Sequence, residues 1–288
     1  MIHLNSSIEE AGRPAAEALE QVAAHPWMER LARFGYATKG AVYMVIGVMA
    51  TLAAIGMGGE TTDTRGALRT IEEQHFGKFA LGTVAFGLIG YVIWRWLQAI
   101  VDTEGKGTRL KGISIRIGYA TSGLVYAGLA FSAAKILIDV GDTDTSSSEK
   151  AQDWTARLMS LPYGPWLVGL AGACVIGFGL YQIYKGIKAK FLKRLKLGQM
   201  NMAKKTWAKL SGRVGYIARG IVFCILGIFL VQAARHYNPQ EAQGLDGALD
   251  ALARQAHGRW ILAAVAAGLF IYGLYMLVES RYRVIAGS

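Results

Sequence analysis

Arg33-Phe34-Gly35-Tyr36, Arg116-Ile117-Gly118-Tyr119 and Arg213-Val214-Gly215-Tyr216 are three copies of one phrase, Arg-x-Gly-Tyr, and each copy begins a long apolar run. In every copy a second glycine follows the first by five positions, and an aromatic residue follows three positions later. Such a repeat determines the architecture before any local pattern does, because each unit must form the same supersecondary structure. The chain is therefore predicted to be one helical hairpin repeated three times.

The composition places these hairpins in a membrane. Of the 288 residues, 53% are hydrophobic and 18% are charged, which is too apolar for an average soluble domain. The apolar residues form blocks of about 20, the length that a helix needs to cross a hydrocarbon core of about 30 Å. The blocks do not alternate with a period of two, so helices are predicted instead of a barrel. The six expected spans are 38–57, 78–101, 117–138, 164–185, 212–233 and 259–279.

Each unit contains further matched positions. A short amphipathic stretch follows the first span, at 65–71, 154–161 and 245–256, and a glycine then precedes the second span. The three units run in the same direction, which predicts an all-α membrane protein with three parallel-repeat hairpins in a pseudo-threefold arrangement. The expected organisation is a cytoplasmic tail (1–30), a first hairpin (31–105), a second hairpin (106–190), a basic cytoplasmic linker (191–211), a third hairpin (212–283) and a second tail (284–288).

The charge of the loops predicts the orientation. Lysine and arginine are abundant in the second and fourth loops and beside both ends of the spanning region, whereas the third and fifth loops are more acidic. An excess of these residues marks the cytoplasmic side of a membrane protein. Both termini are therefore expected on the cytoplasmic side. The formal charge of +11 is a topology signal, and no nucleic-acid partner is expected.

The threefold pattern, with its second glycines and aromatic-ended second spans, resembles the bacterial membrane family catalogued as domain of unknown function 1206, over about residues 30–283. The resemblance implies a six-span inner-membrane protein of three two-span repeats, and it implies no activity or catalytic residue. The second copy departs from the others at Ser122, where they have Lys39 and Arg219. This departure argues against a symmetric ring of three cations at that level.

Arg95 is the only charge between Phe79 and Val101 in the second predicted span. It is about six residues, or roughly 9 Å, inside the cytoplasmic end of the second span. A charge at this depth is costly and often functional. One alternative is that its long side chain snorkels to the interface, towards Asp102 or Glu104. The other is that it binds a ligand or an anionic lipid. Its repeat counterparts are Gln182 and Met276, so any such site is not threefold.

The arginine and tyrosine of the repeated phrase are expected at the cytoplasmic border. Tyrosine suits the interfacial belt, and arginine suits lipid phosphates or loop carboxylates. Anchoring is the main expectation, and a specific lipid or ligand site is the alternative. The residues concerned are Arg33, Arg116, Arg213, Tyr36, Tyr119 and Tyr216.

The fourth loop is the most distinctive basic segment. Residues 185–197 are predicted to continue the fourth span as a basic helix that ends at Gly198. Its cations, and those of the following stretch, are expected to contact anionic lipid, with docking of an acidic partner as the alternative. The residues of this surface are Lys188, Lys190, Lys193, Arg194, Lys196, Lys204 and Lys205.

No motif points to catalysis, to a cofactor or to a metal. No nucleophile elbow, phosphate loop or dinucleotide fingerprint occurs in a suitable context, and metal-ligand spacings of His and Cys are lacking. Polar groups inside the spans look few. The expected function is therefore a non-enzymatic membrane scaffold or accessory subunit that packs against a membrane-protein partner or binds lipid. The alternative is a transporter or channel with a central cavity between the hairpins. Function is expected where the copies disagree, at Arg95 and in the fourth loop.

Overall fold

A computed structural model describes residues 18–57, 61–138 and 146–285, and the statements below concern these residues. The tail residues 1–17 and 286–288, and most of the acidic third loop, lie outside them. After helical residues 18–24, the α-helices are α1 (Pro26–Ile55), α2 (Thr64–Glu72), α3 (Gly77–Ile100), α4 (Leu110–Leu137), α5 (Ser147–Met159), α6 (Gly164–Ile187), α7 (Met202–His236), α8 (Leu245–Ala253) and α9 (Gly258–Tyr282).

The six predicted spans are confirmed as helices. Helices α1, α3, α4, α6, α7 and α9 are long and apolar enough to cross a membrane. Three of them begin earlier than predicted: α1 at Pro26, α4 at Leu110 and α7 at Met202. Hydropathy marks only the stretch that suits hydrocarbon, whereas a helix continues wherever its next turns can pack. In α1 the first turns bury Met28 and Ala32 completely, so the helix begins inside the segment that was expected to be a tail.

The three short helices α2, α5 and α8 each join the two spans of one hairpin, as the amphipathic stretches predicted. Asp63 caps α2 by accepting hydrogen bonds from the backbone N–H groups of the first turn. Ser146 and Glu149 form a capping box at the start of α5. These helices lie together at one end of the bundle, where Ser147 and Ser148 donate hydrogen bonds to Asp246 at 2.7 and 2.8 Å. The other end, which carries the lysine- and arginine-rich loops, is called the basic end below.

The long helices form a ring, and this confirms the pseudo-threefold arrangement. Going round the ring, the order is α1, α3, α4, α6, α7 and α9, and α9 packs against α1. Each hairpin therefore occupies about a third of the ring. Successive hairpins meet at glycines: a Cβ added to Gly40 would lie 2.7 Å from the carbonyl oxygen of Gly273, and one added to Gly220 would lie 2.7 Å from that of Gly179. Small residues allow this approach of helix backbones in lipid.

The ring is open between α4 and α6, the two helices of the second hairpin. Helix α1 packs against α3, and α7 packs against α9, but α4 and α6 do not pack closely against each other in the described chain. The surroundings of the glycine in the repeated phrase differ between the packed hairpins and the open one. A Cβ on Gly35 would lie 2.6 Å from Tyr91, and one on Gly215 would lie 2.6 Å from Tyr272, but one on Gly118 would meet no heavy atom within 4 Å. This opening is called the lateral gap.

The fourth loop does not continue α6 as a basic helix, so that prediction is wrong. Helix α6 ends at Ile187, and Ala189 adopts the left-handed conformation with φ 50°, which turns the chain back under the bundle. A 3₁₀ turn follows over Lys190–Arg194. Its Phe191 is fully buried and stacks on Tyr216 with ring centroids 5.2 Å apart. Burial of this apolar side chain outweighs the helical periodicity of the segment.

The linker joins the end of the described chain across the basic end of the ring. The backbone N–H of Lys196 donates to the carbonyl of Tyr282 at 2.7 Å, and that of Val284 donates to the carbonyl of Arg194 at 2.9 Å. Leu195 and Arg283 form an antiparallel bridge. Residues 189–197 and 283–285 together are called the cover.

Candidate functional site

A cavity of about 460 Å³ lies inside the ring, towards the basic end. All six long helices contribute to its wall, and the cover contributes Arg194 and Arg283. The lining residues are Tyr36, Lys39, Arg95, Lys111, Ser114, Ile115, Gly118, Tyr119, Ser122, Phe178, Tyr181, Gln182, Lys185, Arg194, Tyr216, Arg219, Tyr272, Met276, Glu279 and Arg283.

Repeat-equivalent positions form layers in this wall. In one layer the three copies agree: Tyr36, Tyr119 and Tyr216, the tyrosines of the repeated phrase. A second layer, from the first span of each hairpin, differs between copies: Lys39, Ser122 and Arg219. A third layer, from the second span of each hairpin, also differs: Arg95, Gln182 and Met276. Every one of these side chains lines the cavity, so the positions at which the copies differ face one shared space.

Four buried or partly buried cations in the wall have no acidic partner among the described residues. Lys39, Lys185 and Arg95 are buried, with 2%, 7% and 9% of their surface exposed, and Arg219 is partly buried. In the described chain none of the four has a carboxylate oxygen within 4.0 Å.

Tyrosines surround these four cations instead. The Nζ of Lys39 and the Nε of Arg95 both donate to the hydroxyl of Tyr91, at 3.0 and 2.8 Å. The Nζ of Lys185 donates to the hydroxyl of Tyr216 at 2.8 Å and lies 4.1 Å from the centre of that ring. A cation over an aromatic ring gains about 0.5–2 kcal/mol, which is less than the several kcal/mol that burying an ion costs. The tyrosines therefore offset only part of the cost of burying these four basic groups.

Arg95 lines the cavity. Its Nη1 donates to the Oε1 of Gln98 at 2.9 Å, and its guanidinium carbon lies 4.8 Å from the ring centre of Tyr91 and 5.2 Å from that of Tyr119. The snorkelling alternative named Asp102 and Glu104 as groups that could receive the guanidinium. Gln98 lies between Arg95 and Glu104, and its own amide donates to Glu104 at 2.7 Å.

Arg33 and Arg116 do not line the cavity, because they bind the ends of neighbouring helices. Arg116 donates to the carbonyls of Ala99 and Ile100, at the end of α3, at 2.7 and 2.8 Å. Arg33 donates to Glu29 and to carbonyls at the end of α9, including that of Ser280 at 2.8 Å. Cations stabilise the negative end of a helix dipole.

Arg213, the third arginine of the repeated phrase, is exposed. The structure therefore separates the arginines of the phrase from its tyrosines. The tyrosines line the cavity, whereas the arginines lie outside its wall.

Glu104 ties the cover to the ring. It accepts hydrogen bonds from Arg283 at 2.7 Å and from the hydroxyl of Tyr119 at 2.8 Å, and it lies 3.8 Å from Arg194. Burial alone would raise the pKa of Glu104, but the positive charges of Arg283 and Arg194 outweigh burial and hold that pKa well below its usual range. Arg283 also pairs with Glu279. The two carboxylates nearest the cavity are thus already neutralised, and the four cations remain uncompensated.

The basic residues of the fourth loop divide into two groups. Arg194 faces the cavity and the Glu104 tie. The other six lie at the surface of the basic end, either exposed or partly exposed. They are Lys188, Lys190, Lys193, Lys196, Lys204 and Lys205.

The sequence contained a signal for two of the missed cations. Lys39 and Arg219 follow Tyr36 and Tyr216 by three residues, so each lies on the same helix face as its tyrosine. Once the tyrosines face inward, these cations must do so too. As for metals, no group of three or more His, Cys, Asp or Glu side chains that could hold an ion occurs among the described residues.

Comparisons with known proteins agree with the repeat. A family model described as Domain of Unknown Function (DUF1206) matches residues 34–102, 117–189 and 214–283, and each matched segment corresponds to one hairpin. The chain is 41% identical over 258 residues to a Bacillus subtilis (strain 168) protein named Uncharacterized protein YxxB, covering 90% of this chain and 92% of the relative. No solved structure matches the chain.

Proposed function

Since this chain belongs to the DUF1206 family of three-repeat membrane proteins, we propose from its central cavity that it binds an anionic small molecule, as the binding step of a transporter. In this proposal the protein is not an enzyme. It lies in the bacterial inner membrane with both termini and the basic end in the cytoplasm, as the positive-inside rule favours.

The proposal rests on the four buried or partly buried cations that have no acidic partner among the described residues. Lys39, Arg95, Lys185 and Arg219 come from four different helices, and they line one cavity with no acidic partner in the described chain. A fold that only packs against other helices has no need of such a cluster, since each buried charge costs free energy. An anion in the cavity would offset that cost. Phosphate and carboxylate groups suit arginine forks best.

The polar side chains buried in the spans count against the scaffold function. It was expected because polar groups within the spans looked few, yet the spans bury Lys39, Arg95, Gln98, Gln182 and Lys185. The volume of about 460 Å³ lies within the range of small-molecule sites, about 300–1,000 Å³. Contact of the surface lysines with anionic lipid stays part of the proposal, because these lysines lie at the basic end.

Inorganic phosphate is the probe that tests the site. We expect phosphate to raise the Tm of the purified protein in neutral detergent more than chloride does at equal ionic strength, because a ligand bound only by the folded state stabilises it. Arg95→Gln places in the first repeat the residue that the second repeat already has at Gln182. Loss of a charge-assisted hydrogen bond costs about 1.5–3 kcal/mol, so the phosphate affinity of this variant should fall roughly 10–100-fold.

Lys204→Gln is the matched control, because it removes one exposed positive charge at the basic end and outside the cavity. Its response to phosphate should equal that of the wild type. The proposal is refuted if phosphate and chloride act alike on the wild type, or if both variants lose the response equally.

A further inference from the structure

The lateral gap leads from the cavity to the outer surface of the bundle. Ser114 and Gly118 on α4, and Phe178 and Tyr181 on α6, line the cavity. All four residues are exposed, with 43% of Phe178 and 51% of Tyr181 accessible. In the described chain α4 and α6 do not pack closely against each other, and a Cβ on Gly118 would meet no heavy atom within 4 Å, so the cavity is open between these two helices.

The gap lies at the depth of the acyl chains. Tyr181 and Phe178 precede Ile187, the end of α6 at the basic end, by six and nine residues, or roughly 9 and 13 Å along the helix. A hydrocarbon core is about 30 Å thick, so the gap reaches from the basic interface nearly to the midplane. The outer faces beside it are apolar, with exposed Ile117 on α4 and Leu180 on α6.

The direct way out of the cavity along the ring axis is covered. The cover crosses the basic end and is tied down by Glu104, which bonds Arg283 and lies beside Arg194. A free anion that used the gap would have to enter beside hydrocarbon, where an unpaired charge is very costly. A lipid could instead slide its headgroup into the cavity while its chains stay in the bilayer. Lys111, exposed and on the cavity wall at the start of α4, lies where such a headgroup would pass.

We infer that the anion in the cavity is the headgroup of an anionic phospholipid, whose acyl chains leave the protein through the lateral gap between α4 and α6. This inference rests on the proposed anion site and names its ligand class. It accounts for the two features in which the second repeat differs from the others, which are Ser122 and the separation of α4 from α6. Ser122 leaves room in the wall for a headgroup, and the parted helices leave room for the chains.

Gly118→Leu tests the route of the chains. A Cβ at Gly118 meets no heavy atom within 4 Å, so the leucine side chain should fill the gap without disturbing the fold. Gly128→Leu is the matched control: it is on the same helix, its Cβ also meets open space, and it does not line the cavity. Each protein, in neutral detergent, is titrated with dioleoyl phosphatidylglycerol and with dioleoyl phosphatidylcholine, and bound lipid is counted by native mass spectrometry. Inorganic phosphate binding is measured in parallel by thermal shift.

We expect the wild type and Gly128→Leu to bind one phosphatidylglycerol at least about tenfold more tightly than phosphatidylcholine. Gly118→Leu should weaken phosphatidylglycerol binding about tenfold or more, and by a larger factor than it weakens the binding of inorganic phosphate. Equal binding of phosphatidylglycerol by all three proteins, or equal binding of both lipids by the wild type, would overturn the inference. A wild type that binds phosphate but no lipid overturns the inference and leaves the proposed anion site standing. A wild type that binds neither probe overturns both.

Discussion

Gly35, Gly118 and Gly215 occupy one position of the repeat, yet their surroundings differ. Gly35 and Gly215 let α1 and α7 approach the backbones of Tyr91 and Tyr272, whereas Gly118 faces open space. Where a neighbouring backbone is near, a glycine permits close packing because it has no Cβ. Where no backbone is near, a glycine only lowers the stability of its helix. The glycine of the repeated phrase therefore allows a close helix contact in the first and third copies, and it borders open space in the second.

The first prediction compares the same substitution in two copies. Gly35→Ala places a Cβ 2.6 Å from the backbone nitrogen of Tyr91, so it should destabilise the protein by about 1–3 kcal/mol, the usual effect of overpacking. Gly118→Ala should instead be neutral or stabilise by up to about 1 kcal/mol, because alanine favours helix over glycine. Unfolding in detergent, followed by circular dichroism, measures both. Equal losses in the two variants would contradict the open gap.

At the scale of elements, the cover differs most from what periodicity predicted. Residues 190–194 carry the spacing of a basic amphipathic helix, but Phe191 is buried against Tyr216 and Tyr275. The side chain of Glu104 holds the cover through Arg283. One carboxylate in the loop between α3 and α4 thus adds to the backbone hydrogen bonds and the buried Phe191 in holding this element.

Removing that carboxylate gives a pH-dependent prediction. The pKa of Glu104 is lowered in the folded protein, so its stabilisation is complete at neutral pH and is lost as the pH falls below about 4, the ordinary pKa of glutamate. Glu104→Gln should lower stability at pH 7 by roughly 1–3 kcal/mol. It should also reduce the loss of stability between pH 6 and pH 3. Thermal unfolding as a function of pH checks this; a variant as pH-dependent as the wild type would exclude Glu104 as the tie.

The spans, their number and the short joining helices could be predicted because length and hydropathy report them directly. The ring order could not, since the contacts of Gly40 with Gly273 and of Gly220 with Gly179 join distant parts of the sequence. The lateral gap was hidden for a similar reason: Gly118 and Phe178 match the packed pairs of the other repeats. The cavity was missed because spacing along the chain does not show which helix faces meet, so Lys39 and Arg219 could not be placed in one space.

At the scale of the whole molecule, the ring has two different ends. One end carries α2, α5 and α8, and the other carries the cover and the surface lysines. The distribution of charge favours the second end for the cytoplasm. The lateral gap opens nearer to that end, so orientation also decides which leaflet of the bilayer the gap meets.

Cysteine labelling tests the orientation. In a chain with Cys174→Ala and Cys224→Ala, Gln74→Cys places an exposed thiol beyond α2, and Thr108→Cys places one in the loop at the basic end. An impermeant maleimide added to spheroplasts should modify the first variant and leave the second unmodified until the cells are lysed. Labelling of Thr108→Cys alone in intact spheroplasts would reverse the assigned orientation.

The contact between α1 and α9 imposes an order of events during synthesis. The first spanning helix packs against the last one, and the glycine pair Gly40 and Gly273 lies at their interface. At about 5–20 residues per second, a ribosome needs roughly 10–50 s to make the chain between these two glycines. Throughout that interval α1 lacks its most extensive contact with another spanning helix and can pack only against earlier elements such as α2 and α3. The contact between the first and third hairpins therefore forms only after the last spanning helix has been made.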